Sequence, residues 1–217
     1  MTLAIFDLDN TLLAGDSDYL WGQFLVEEGL VDGDAYAEHN ARFYREYQQG
    51  TLDIEEYLSF ALAPLARYPA EDLHRWRERF VEEKIRPIML DKARQLVADH
   101  QSRGHTTLVI TATNHFVTSP IVQQFGIPHI LATLPEFADG RYTGQWLGTP
   151  CFQHGKVICL NQWLAETGHT LEGSWFYSDS HNDIPLLEKV THPIAVDPDA
   201  QLTARAQHEG WPIISLR

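Results

Sequence analysis

Leu3-Ala4-Ile5-Phe6-Asp7-Leu8-Asp9-Asn10-Thr11 is the stretch whose reading decides the fold. Four apolar residues read as a buried strand, and two carboxylates two positions apart follow at once. On an extended segment the side chains at i and i+2 point the same way, so Asp7 and Asp9 converge. Ligands of open α/β sheets bind beyond the carboxyl ends of the strands, which makes that convergence a candidate site. One acid that coordinates a cation and attacks phosphorus, beside another that shuttles a proton, would supply both halves of a phosphate-ester hydrolysis. The same residues also read as a surface turn after a core strand, so the rest of the chain has to decide.

Outward from this stretch, residues 3–6, 107–110, 175–177 and 194–196 have strand length and β-branched or aromatic content, with further candidates at 213–216 and 127–133. Helical patterns at 92–100, 117–125 and 157–166 lie between them, and alternation of this kind predicts a parallel sheet flanked by helices. Gly104 and Gly126 stand where helix C-terminal caps are expected. Residues 15–86 break the alternation. They carry almost no strand signal and read as several short helices, with Asp32 and Asp53 as N-caps, Gly29 and Gly50 as stops, and Pro64, Pro69 and Pro87 as punctuation. Asp139-Gly140 marks a β-hairpin turn within a smaller insertion at 134–148.

With 217 residues, 44% hydrophobic and 21% charged, the chain fits one domain plus a large insertion. Sixteen Lys and Arg against 30 Asp and Glu give a net charge of −14, which repels polyanions and argues against a nucleic-acid partner. The longest apolar stretches fall far short of the roughly 18 residues of a membrane span. No basic n-region and apolar h-region open the chain, so a cytoplasmic location without a membrane partner is expected. Cys151 and Cys159 then read as reduced thiols, and with His154 alone between them they lack the paired spacing of structural zinc.

Three further pieces bear on the chemistry. The strand at 107–110 runs into Thr111-Ala112-Thr113-Asn114, a hydroxyl-rich turn whose hydroxyls and backbone N–H groups suit a phosphoryl group, though they equally suit ordinary helix capping. Lys156 opens a helix, where the macrodipole disfavours a cation; an anionic partner explains it, and a solvated lysine is the alternative. Ser178-Asp179-Ser180-His181-Asn182-Asp183 again ends a strand in acids. Hard cations such as Mg²⁺ take oxygen ligands, so Asp179 would ligate directly and Asp183 would face the metal's waters.

Taken in order, Asp-x-Asp-x-Thr, Thr, Lys and Asp-x3-Asp resemble the haloacid dehalogenase superfamily, and the inserted helices resemble the cap of its phosphoserine-phosphatase-like branch (subfamily IB type). The resemblance covers essentially the whole chain. It implies an α/β fold, with a Rossmann-like parallel-sheet core over 1–14 and 87–217, a helical cap over 15–86 and the hairpin insertion at 134–148. It also implies a Mg²⁺-dependent hydrolase of small-molecule phosphate esters that works through a phosphoaspartate. By that resemblance Asp7 attacks phosphorus, and Asp9 protonates the leaving alkoxide and then activates water. Thr111, Ala112, Lys156 and Asn182 hold the phosphoryl group, while Asp7, the Asp9 carbonyl and Asp179 hold the metal.

Members of that branch that act on phosphoserine hold the substrate ammonium with an acid nine positions after the nucleophile, where this chain has Asp16. Their carboxylate-binding Arg falls in a region that here reads Ser59-Phe60-Ala61. An amine contact without a carboxylate clamp predicts an amino-alcohol phosphate. Histidinol phosphate is favoured, because members acting on it resemble this chain in Phe6-Asp7-Leu8-Asp9-Asn10-Thr11-Leu12-Leu13, Gly15-Asp16-Ser17-Asp18 and Ile110-Thr111-Ala112-Thr113-Asn114. Asp16 also reads as a helix N-cap. Phosphoserine hydrolysis, phosphotransfer to an acceptor alcohol, and a non-catalytic metabolite-sensing module are the alternatives. Oligomeric state is not encoded in any of these motifs.

Overall fold

In the computed structural model, which describes residues 2–217, six strands form one parallel sheet in the order β3-β2-β1-β6-β7-β8. They are β1 (Leu3–Phe6), β2 (Thr106–Ile110), β3 (His129–Leu131), β6 (Trp175–Ser178), β7 (His192–Val196) and β8 (Ile213–Ile214). β1 is apolar without interruption because both faces of the sheet are covered, as parallel sheets require. Leu3 and Ile5 point into a cluster with Leu108, Ile110 and Phe176. Ala4 and Phe6 point into the opposite cluster with Val109, Trp21 and Phe116. Helices α5 (Asp91–Ser102), α6 (His115–Gln124), α7 (His154–Thr167), α8 (Ile184–Leu187) and α9 (Ala200–Glu209) join the strands. From β1 the chain fills one side of the sheet and then returns to β6 for the other. The carboxyl ends of β1 and β6 therefore flank the crevice where such sheets bind ligands.

Between β1 and α5 lie four helices, α1 (Ser17–Glu27), α2 (Gly33–Gln49), α3 (Ile54–Arg67) and α4 (Ala70–Phe80). Their caps follow the local chemistry. Asp53 accepts from the N–H groups of Glu55 and Glu56 at the start of α3, and Gly50 ends α2 in the left-handed region at φ 71°. Pro64 was expected to break the helices, yet it sits inside α3. It is buried beside Leu62 and Leu65, and that tertiary burial outweighs the local cost of an interior proline, about 3 kcal/mol. The excursion leaves and re-enters the sheet through adjacent chain segments. Ala14 donates to the Ile88 carbonyl at 2.7 Å, and Leu13 bridges Met89.

The inserted helices have no core of their own. Trp21, Phe24 and Phe80 share a single cluster with Phe6, Val109 and Phe116 of the sheet layer. The antiparallel pair β4 (Leu134–Ala138) and β5 (Arg141–Leu147) turns at Asp139-Gly140, where both residues have positive φ as a two-residue hairpin loop needs. Both cysteines are free thiols, and among the described residues no helix is long and apolar enough to cross a membrane.

Candidate active site

The ends of β1, β2 and β6 and the first turn of α7 bring the acids, hydroxyls and lysine together. Asp7 follows β1 and is 3% exposed. One of its carboxylate oxygens accepts from Lys156 Nζ at 2.8 Å, while the other is buried without any hydrogen-bond partner. Lys156, the cation at a helix start, also reaches Asp183 at 2.8 Å. Burial works against its ammonium, but the charges of Asp183 and Asp7 prevail and hold its pKa above the usual lysine range. For Asp7 the balance runs the other way. Burial raises it most, Lys156 pulls it down, Asp183 and Asp9 push it up, and it rises to about 7.

Asp9 lines the same cavity as Asp7. Its carboxylate accepts from the Ser17 backbone N–H at 2.6 Å and from the Thr113 hydroxyl at 2.8 Å. Burial, and after it the negative charge of Asp16, raises its pKa to about 7, so it can carry a proton near neutrality. Thr113 was named in the sequence only as part of a turn. Its role as the holder of Asp9 depends on the parallel register of β1 and β2, which no local pattern discloses. Thr111 is buried, and its hydroxyl oxygen accepts from the Thr113 N–H, which leaves its hydrogen to donate. Ala112 lines the adjoining cavity.

Asp179 ends β6. Its Oδ1 accepts from the Thr11 hydroxyl at 3.2 Å, and its own N–H donates back to that hydroxyl at 3.0 Å. Burial and the charges of Asp7 and Asp183 raise it well above the carboxylate range. Asp183, expected to face the waters of a metal, accepts from Lys156 and from the Ser178 hydroxyl. Asn182, expected on the phosphoryl group, has its amide between Gln153 and the Tyr47 carbonyl. Among the described residues no three His, Cys, Asp or Glu side chains are grouped to hold a metal ion. Asp7, Asp179 and the backbone carbonyl of Asp9 were the expected ligands; the Asp9 carboxylate accepts from Ser17 and Thr113, and that of Asp183 from Lys156 and Ser178.

A cavity opens from Asp7 and Asp9 into the inserted helices. Asp16 and Asp18 line it together with Tyr19, Phe43, Tyr44, Tyr47 and Tyr57. Asp16 caps α1 through one oxygen, which accepts from the N–H groups of Asp18 and Tyr19 at 3.0 and 2.8 Å. Burial raises Asp16, and burial with the charges of Asp16 and Asp9 raises Asp18 well above the usual value. Asp18 was overlooked because it read as one more acid of a first helical turn.

A model of the haloacid dehalogenase-like hydrolases matches residues 4–188. The chain belongs to this hydrolase family. Among relatives of this haloacid dehalogenase-like chain, the histidinol-phosphatase of Neisseria meningitidis serogroup C is 49% identical over 99% of both chains. A phosphoserine phosphatase of Mycobacterium tuberculosis is 31% identical over 99% of this chain and 70% of its own length. The solved structure of a Bordetella pertussis protein of unknown function superposes with a TM-score of 0.94 at 45% identity, covering all of both chains. The family assignment agrees with the resemblance read from the four motifs.

Proposed function

We propose that the chain is a phosphoric monoester hydrolase that works through a phosphoaspartate on a small amino-alcohol phosphate, with histidinol phosphate the favoured substrate. The observation that carries the substrate class is the charge of the cavity. Four aspartates line it; Asp7 is paired with Lys156, but Asp9, Asp16 and Asp18 have neither Lys nor Arg beside them among the described lining residues. Burying carboxylates without a counter-charge is unfavourable, so a substrate that brings its own ammonium restores the balance and one that brings a carboxylate worsens it. The sequence relation to a histidinol-phosphatase supports the same reading. Phosphoserine is the second reading, supported by the more distant relative of that activity.

In this reading a carboxylate oxygen of Asp7 attacks phosphorus as the ester oxygen leaves, and Asp9 gives that oxygen its proton. Asp9 then takes a proton from the water that opens the acyl phosphate. Lys156 offsets charge on Asp7 and the phosphoryl oxygens, and the Thr111 hydroxyl donates to one of them. The residues also fit a hard divalent cation. Asp7 has a buried oxygen with no partner, and Asp7 and Asp179 are each raised by burial and by neighbouring acids whose charge a cation would offset. Asp7, Asp179 and the Asp9 carbonyl would hold Mg²⁺, which supplies electrostatic stabilisation of the phosphoryl oxygens.

A screen of phosphate esters with Mg²⁺ present tests the assignment. Histidinol phosphate is expected to exceed phosphoserine by at least about tenfold in kcat/KM, a difference of about 1.4 kcal/mol. Preference for phosphoserine would overturn the substrate, and hydrolysis of no ester at all would overturn the activity. Added alcohols, assayed for phosphorylated products, separate transfer from hydrolysis.

A further inference from the structure

We propose that Gln153 is a positioning residue that ties docking of the helical cap to the placement of Lys156. Gln153 precedes α7 at φ 46° and ψ −119°, a conformation that L side chains rarely adopt. Such strain persists only where the surroundings hold it. One of the contacts that hold it runs directly to the cap. Gln153 Nε2 donates to Asn182 Oδ1 at 2.9 Å, and Asn182 Nδ2 donates to the Tyr47 carbonyl, in the last turn of α2, at 3.0 Å.

This relay has one sense only. A backbone carbonyl accepts and never donates, so Tyr47 fixes which end of the Asn182 amide faces the cap. The opposite end is then an oxygen, which demands a donor, and Gln153 supplies it. The contact is close on both sides. A Cβ added at Gly50 would lie 2.7 Å from the His181 ring, and Asp199 holds that ring and the His181 N–H at 2.7 and 2.8 Å. The end of α2 therefore rests on a braced turn.

On the far side of Gln153 the chain is equally confined. The Lys156 N–H donates to the Gln153 carbonyl at 3.1 Å, and a Cβ at Gly155 would meet the Pro150 carbonyl oxygen at 2.0 Å. The turn has no room to absorb a shift, so a change in the Gln153 backbone is passed to Lys156. When α2 lifts, Asn182 loses its carbonyl, Gln153 loses its anchor, and the strained backbone relaxes toward an ordinary conformation. Lys156 then leaves its place against Asp7. Cap docking and charge neutralisation at the nucleophile are thereby one event. The inference rests on the proposed roles of the cap and Lys156 and not on the identity of the ester.

Hydrogen–deuterium exchange on the full chain with Mg²⁺, read at residues 47–52 and 150–157, tests the coupling. Gln153→Glu keeps the shape but removes the donor, and it is expected to raise exchange in both segments about tenfold while the rest of the sheet is unchanged. Gly50→Ala strains the other end of the relay and should raise exchange at 150–157 as well as at 47–52. The double variant should be no worse than either single one, as for two changes in one network. With an aryl phosphate, Gln153→Glu should lower kcat by about tenfold and leave KM within about twofold, the mark of an interaction made in the transition state. If Gly50→Ala loosens 47–52 but leaves 150–157 protected, the relay is not a coupling and the proposal falls; that arm decides even if Gln153→Glu fails to fold. Normal exchange changes in a protein that hydrolyses no ester would instead count against the activity alone.

Discussion

Asp7 combines a partnerless buried oxygen with a crowd of like charges, so a single substitution should separate function from stability. Asp7→Asn is expected to reduce turnover to background. In protein freed of divalent cations it should melt no lower than the parent, and each kcal/mol of relieved repulsion should raise Tm by roughly 2–4 °C in calorimetry. Retention of more than a few per cent activity would rule out Asp7 as nucleophile. Asp9→Asn should lose at least the roughly 10²-fold expected for a general acid–base group. Asp16 offers a signed test. Asp9 must be protonated to act as acid, and the Asp16 charge raises its pKa, so Asp16→Asn should move the alkaline limb of kcat/KM for an aryl phosphate to lower pH. An unmoved limb would mean that the two acids do not communicate. Asp7, Asp9 and Lys156 were legible because motif order names them. Asp18 and Gln153 were not, since one acid in a helical first turn and one glutamine in a loop carry no local mark of what faces them.

α5 carries His100 in its last turn, buried against β6, where its Nε2 lies 2.8 Å from the Tyr177 hydroxyl and its Nδ1 2.8 Å from His105. Burial, with the charge of His105 next, lowers its pKa from 6.5 to about 4. The folded state therefore prefers the neutral ring more than the unfolded state does. Its contribution to stability is complete above pH 6.5 and is lost as pH falls toward 4. Melting temperatures across that window should drop less steeply for His100→Gln than for the parent; equal slopes would refute the assignment. At the start of α3, Asp53→Ala should cost about 1 kcal/mol of stability, the usual value of a lost N-cap. The strands and most helices were readable from period and caps, and the two-residue hairpin from Asp-Gly alone. Pro64 was misread because its cost is local and visible, whereas the burial that overrides it is set by residues distant in sequence.

At the scale of the whole molecule, chelation tests the charge balance of the site. EDTA should silence hydrolysis and Mg²⁺ should restore it, and Asp179→Ala should raise the Mg²⁺ requirement steeply. Full activity after chelation would refute the cation, and rescue by Zn²⁺ in preference would mean that the ligand set is softer than oxygen alone. The order of strands across the sheet and the shared cluster beneath the inserted helices were not legible. Both depend on which apolar faces meet, and many pairings satisfy the same pattern.

That shared cluster has a consequence for recombination. A chimera that grafts residues 15–86 from a relative onto this sheet would cut through the side chains of one core, separating Trp21, which lies edge-on to Phe80 at 5.1 Å, from Phe116 at 5.9 Å. The inserted helices of this chain are therefore not exchangeable as a cassette. Crossovers that carry the Phe116 helix with the graft should yield folded hybrids, and those that leave it behind should aggregate on expression.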